Sequence, residues 1–122
     1  MAIVGEWVND KLEIDMTGNS DASVDVIFGN KLKKFQSNSF QIIGVNLGGT
    51  VAGTFKILVG NLFQNDTDFS KVYLDQLGNS VDIISTFSEM YQTAYAYNTV
   101  MANFENIGGI TSGKFIIALN RD

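Results

Sequence analysis

The chain contains no cysteine, no histidine and no proline, one tryptophan, and a single arginine, Arg121. Without cysteine there is no disulfide, no thiolate metal ligand and no thiol nucleophile, and the redox compartment stays open. Without histidine, acid–base chemistry near neutral pH falls to a carboxylate, lysine or tyrosine with a displaced pKa. Charge is scarce too: Asp, Glu, Lys and Arg make up 17% of the 122 residues, below the roughly one quarter usual in soluble domains. The net charge of −5 and the absence of clustered arginine argue against a phosphate-backbone binder, so nucleic acid is not an expected partner. No segment approaches the roughly 18 apolar residues of a membrane span, and the opening MAIVGEWVND lacks a basic leader, so neither a span nor a signal peptide is expected.

What the chain does contain is alternation at period two, punctuated by glycine and asparagine. KLEIDMT sets Leu12, Ile14 and Met16 against Lys11, Glu13 and Asp15, the pattern of a half-buried antiparallel strand. After a turn signal at Thr17 to Asp21, with Gly18 and Asn19 suited to positive φ, ASVDVIFG directs Val24, Val26 and Phe28 inward. SFQIIGVNL and TFKILVG read as a hairpin joined across Gly48 to Gly53, and KVYLDQ and VDIIS as a second hairpin through Gly78 and Asn79. GKFIIALN closes the series with Phe115, Ile117 and Leu119 on one face. Short strands separated by turns about every ten residues predict an all-β fold: one antiparallel β-sandwich or a jelly-roll-like barrel of about seven to eight strands. Residues 1–10 form an N-terminal arm or first strand and residues 11–122 the single sandwich domain.

One region carries two periods. Phe87, Met90, Tyr91, Ala94, Tyr97 and Met101 recur at helical spacing, and Thr86 with Glu89 has the spacing of a capping box. YAYNTVMANFE also alternates and is rich in aromatic and β-branched residues. The expectation is a loop or short helix over about 85–93, then a strand to about residue 105.

The search for chemistry returns mostly negatives, and no cofactor or metal is expected. Asn65, Asp66 and Asp68 begin with calcium-loop spacing but lack the downstream glycine and glutamate, so a solvated turn is the better reading; Asp21 and Asp25 read the same way. Lys31, Lys33 and Lys34 form the one basic run, a candidate charged contact for an acidic neighbour or phosphate that also suits a solvated strand edge. GVNLGGTVAG has neither a dinucleotide fingerprint nor a Walker lysine. Tyr91, Tyr95 and Tyr97 with Phe104 are candidates for a ligand-stacking or subunit-interface face, with core packing as the alternative. Ile3, Val4, Trp7 and Val8 make the first residues apolar and are a candidate docking arm. An enzyme would need carboxylates such as Asp82 and Glu89 to converge in a cleft, and no enzyme is expected.

Ser39, Phe40 and Ile42; Gly53, Thr54, Phe55, Ile57, Gly60 and Asn61; Tyr95 and Tyr97; and Thr111, Ser112, Gly113, Lys114 and Phe115 follow an ordered layout. It resembles that of small β-sandwich virion proteins of bacteriophages over residues 37–120, though GNLFQNDTDFSKV lacks their usual Asn-Asp-Gly turn and YAYNTVMANF lacks an arginine often present there. The resemblance implies a jelly-roll-like structural part of a virion: a capsid vertex (penton) protein, a decoration protein or a fibre base. Its implied partners are the major capsid protein, copies of itself and a spike or fibre protein. The other reading is a carbohydrate- or receptor-binding module, with Tyr91, Tyr95, Tyr97, Asn65 or Asp66 contacting sugar.

Overall fold

A computed structural model describes residues 1–28, 38–61, 74–93 and 97–120. Nine strands run in the order β1 (Ile3–Val4), β2 (Lys11–Asp15), β3 (Ser23–Ile27), β4 (Asn38–Gly49), β5 (Thr54–Gly60), β6 (Asp75–Asp82), β7 (Phe87–Thr93), β8 (Thr99–Glu105) and β9 (Ile110–Asn120). They form two antiparallel sheets, one of five strands ordered β1-β2-β9-β4-β7 and one of four ordered β3-β8-β5-β6. The all-β sandwich is as expected from the alternation, with nine strands among the described residues.

The pairing is nested. β2 pairs with β9, β3 with β8, β4 with β7 and β5 with β6, as though one long antiparallel ribbon had been folded over and rolled up. Lateral pairs of β9 with β4 and β8 with β5 then close each sheet. This is the jelly-roll arrangement. From β2 to β5 and again from β6 to β9 consecutive strands alternate between the two sheets, because there a strand and its successor belong to the same arm of the ribbon.

That geometry corrects both expected hairpins. β4 lies in the five-stranded sheet and β5 in the four-stranded one, so Gly48 to Gly53 carry the chain across the sandwich. Gly53 makes the crossing with a φ of 105°, and a Cβ there would sit 2.7 Å from the Asn106 carbonyl oxygen. Gly78 and Asn79 fall inside β6. The chain does not reverse there, since Leu77 and Val81 on either side both pair with β5; Gly78, with φ of 75°, instead begins the segment 78–80 that bulges opposite Lys56, where the β5–β6 register shifts. The true two-residue turn is Asn9-Asp10, with φ of 52° and 62°, closed by reciprocal Val8–Lys11 backbone bonds of 2.9 and 3.1 Å.

The short helix expected near 85–93 is absent. Residues 87–93 form β7, paired with β4 from Gly44↔Phe87 to Asn38↔Thr93. Thr86 caps no helix; its hydroxyl accepts a bond of 3.3 Å from the Asn46 amide. Tertiary pairing overrides a helical spacing that local residues favour only weakly.

The core lies between the sheets. Leu12, Ile14, Phe40, Ile42, Phe115 and Ile117 face Val26, Phe28, Phe55, Ile57, Val100 and Phe104, all buried. Ring contacts tie the sheets together: Phe104 lies 4.5 Å from Phe115 and Phe28 5.1 Å from Phe40, centroid to centroid. Truncating one such phenylalanine costs about 3–5 kcal/mol. β8 is buried on both sides: beyond the core, Met101 packs with Leu58 and Leu74 on the far side of its sheet. No helix of the described residues is long and apolar enough to cross a membrane.

Candidate ligand-binding face

Pairing register decides what each strand shows to solvent. With Leu12 and Ile14 inward, β2 turns Lys11, Glu13 and Asp15 outward, and the register Glu13↔Ile116 and Asp15↔Lys114 brings Lys114, Ile116 and Ala118 of β9 to the same face. β4 adds Ser39, Gln41, Ile43 and Val45, opposite Asn120, Ala118, Ile116 and Lys114. β7 adds Ser88, Met90 and Gln92. The outer face of the five-stranded sheet thus has a half-buried aliphatic centre with amides, hydroxyls and charges around it.

At one end of this face an open groove of about 490 Å³ is lined by Ile3, Gly5, Glu13, Asp15, Thr17, Val45, Asn46, Gly113 and Lys114. The Lys114 ammonium is 3.1 Å from Glu13 Oε1, so a cation and an anion sit side by side and both stay partly exposed. The Thr17 amide donates to Asp15 Oδ1 at 2.9 Å. Its backbone and side-chain hydrogen bonds, with a smaller contribution from Lys114, hold the Asp15 carboxyl below the usual carboxylate range. Asp15 is therefore an anion at any pH near neutrality.

The end wall of the groove is a fault in the sheet. Between Val45↔Lys114 and Gly48↔Ser112 the β4–β9 register shifts, setting Asn46 and Leu47 against Gly113 alone. Leu47 is buried, and its backbone is held by Ser85: its amide donates to the Ser85 carbonyl at 2.9 Å and its carbonyl accepts from Ser85 Oγ at 2.9 Å. Asn46, exposed and left-handed at φ of 51°, is thereby raised at the rim.

The residues singled out in the sequence are placed as follows. Ile3 and Val4 form β1, and Ile3, Val4 and Val8 are 60%, 46% and 62% exposed. They belong to a β-hairpin and not to a free arm, because Asn9-Asp10 turns the segment back onto β2. Trp7 packs on the core, 6.0 Å from the Phe28 ring. Phe104 is fully buried and has no surface to offer. Tyr97 is half-buried against the core. Tyr91 stacks on Phe40 at 5.4 Å and meets Phe55 edge-on at 6.4 Å; burial, helped by Glu89, pushes its phenol up to about 12. Tyr91, Tyr97 and Phe104 thus all pack in or against the core. Tyr95, Lys31, Lys33, Lys34, Asn65, Asp66 and Asp68 lie outside the described residues. Asp21 Oδ2 accepts from the Ala2 amide at 3.0 Å, and Asp25 accepts from the Asn103 side chain. Asp82 pairs with Thr54 on the outer side of the four-stranded sheet, while Glu89 pairs with Ile42 in the other sheet, so these two carboxylates share no face.

The groove residues Glu13, Asp15 and Lys114 were not among the sequence candidates. Lys11, Glu13 and Asp15 read as a plain solvent side, and nothing local says that Lys114, about a hundred residues on, lies opposite Asp15.

A scan against family models finds no match for this chain, and neither does a comparison with curated proteins. Among solved structures, the CBM22-1 xylan-binding domain of Xyn10C from Paenibacillus barcinonensis superposes with a TM-score of 0.51 at 13% identity, over 100% of this chain and 82% of that one. The mitogen from Yersinia pseudotuberculosis gives 0.46 at 13% identity, over 100% and 88%. The N-terminal cellulose-binding domain of β-1,4-glucanase C from Cellulomonas fimi gives 0.40 at 12% identity, over 93% and 80%. At such identities the xylan-binding domain establishes a shared β-sandwich fold.

Proposed function

We infer that this domain binds carbohydrate, without catalysing a reaction on it, through the outer face of the five-stranded sheet. The observation that carries the reading is the groove: an acceptor carboxylate 3.1 Å from a donor ammonium, a second fixed carboxylate on Asp15 and the Asn46 amide, set among the aliphatic side chains of Ile3 and Val45. Sugar rings offer hydroxyls that donate and accept at once, beside apolar C–H faces, and such a mixture of groups meets both needs. Strands hold these side chains more rigidly than loops do, which lowers the ordering cost of a weak polar ligand. The sandwich shared with a xylan-binding domain supports the reading by analogy of fold.

Affinity electrophoresis against a panel of soluble polysaccharides that includes xylan, followed by calorimetry with matching oligosaccharides, tests it. The native chain should be retarded by at least one glycan, and Glu13→Ala and Lys114→Ala should each weaken that binding. A panel without retardation, or unaltered binding by both variants, rules the reading out.

A second reading, a virion part held on a major capsid protein, has its own support in the exposed Ile3, Val4 and Val8. The jelly roll serves lectins and capsid proteins alike. Co-assembly with a capsid shell by the native chain, lost on changing Ile3 and Val4 to serine, is the result this reading requires.

A further inference from the structure

We propose that β7 is a dimerisation edge, pairing antiparallel with β7 of a second copy about a two-fold axis through Met90, so that the two five-stranded sheets become one.

Sheet edges attract further strands, and proteins blunt them by shortening, bulging, or placing Lys or Pro on them. Three of the four edges are short or broken. β1 has two residues and β3 five, and β6 is deformed by the register shift opposite Lys56. β7 differs: its seven residues, FSEMYQT, run in unbroken register with β4, contain neither Lys nor Pro, and expose Met90 at 64%. Among the described residues no strand pairs with its other side.

The sequence of β7 is self-complementary about its centre. With Met90 opposite Met90 of the second copy, Glu89 faces Tyr91, Ser88 faces Gln92 and Phe87 faces Thr93. A carboxylate meets a phenol donor on the inner side, a hydroxyl meets an amide on the outer side, and the exposed thioethers cover one another. Glu89 disfavours the neighbouring register whose axis passes through it, because that sets two carboxylates directly opposite. The Met90-centred register instead gives the carboxylate a phenol donor on the second copy, a self-complementary match of the kind a two-fold interface requires. This inference is independent of glycan binding, since it rests on the strand edge and not on the groove.

The absence of native cysteine makes the test direct. By sedimentation velocity at tens of micromolar, the native chain should have twice the chain mass of 13.4 kDa, and Met90→Lys, with an unchanged circular dichroism spectrum, should have that mass once. Opposed antiparallel residues stand about 4.5–5.5 Å apart between Cα atoms, within disulfide reach. Met90→Cys should therefore crosslink to a covalent dimer at least tenfold faster than the exposed control Val8→Cys. Ser88→Cys should not crosslink with itself, because its copies lie about 13 Å apart along the strands, but should crosslink when mixed with Gln92→Cys. A native chain that remains monomeric, a Met90→Lys variant that remains dimeric, or crosslinking of Ser88→Cys to itself each overturns the proposal.

Discussion

Gly113 and Asn46 face one another across the break in the β4–β9 ladder, both left-handed, with φ of 82° and 51°. A Cβ on Gly113 would run into the Asn46 carbonyl oxygen and lie 2.7 Å from Leu47 Cα. Both obstacles are backbone, so neither can rotate away.

Gly113→Ala should accordingly lower stability by more than the roughly 1 kcal/mol of a left-handed alanine alone. Gly18 supplies the control, since it has φ of 71° but open space where its Cβ would be. Urea unfolding of both variants separates the terms: Gly18→Ala should show only the conformational cost and Gly113→Ala distinctly more. Equal losses would mean that the bulge relaxes freely.

Glu13 and Lys114 are partly exposed, and such ion pairs contribute only about 0–1 kcal/mol. Glu13→Ala should therefore leave the melting temperature nearly unchanged while weakening glycan retention. Differential scanning fluorimetry run beside the binding assay decides between loss of a contact and loss of the fold.

Asn19 is buried at the turn after β2, where its side-chain amide donates to the carbonyls of Ile107 and Ile110, each at 3.2 Å, and its Oδ1 accepts from the Asp21 amide at 3.0 Å. Asn19→Ala strips partners from buried groups at about 1–3 kcal/mol for each one left unsatisfied. Chemical denaturation should place this variant among the most destabilised of the polar substitutions.

Tyr91 gives the protein an alkaline limit. Its folded pKa is raised to about 12 from an ordinary value of about 10, so its contribution to stability is fully present below about pH 10 and is lost as pH rises towards 12. Ultraviolet titration should show a tyrosine step delayed towards pH 12, and Tyr91→Phe should remove it. Asp15 acts in the opposite sense: its lowered pKa contributes stability above the ordinary carboxylate value, lost as pH falls through the folded one. Asp15→Asn should flatten the acid limb of a pH–stability curve.

Much of this architecture is legible in the chain. The alternation of Leu12, Ile14 and Met16, of Val26 and Phe28, and of Phe115 and Ile117 fixes which sides enter the core, because one side of each strand must leave water. Long-range partnership is not written locally. SFQIIGVNL and TFKILVG look like neighbours because a few glycines join them, yet the nested ribbon assigns them to opposite sheets. Met90 and Tyr91 sit at helical spacing within residues that only pairing to β4 turns into a strand. The groove was hidden for the same reason: Glu13 and Lys114 become adjacent through a register that joins the two ends of the chain.

β9 runs between β2 and β4 in the middle of the sheet that carries the groove. On a ribosome, β2 and β4 emerge long before the strand that separates them. Until residues 110–120 are free, their inner edges stay unpaired, and Leu12, Ile14, Phe40 and Ile42 lack part of their cover. Pairing between such distant segments is slow, and open edges of this kind invite aggregation in the interval. Any chain stalled before Ile110 is thus a substrate for chaperones and proteases, so production of this domain hinges on completing its last strand.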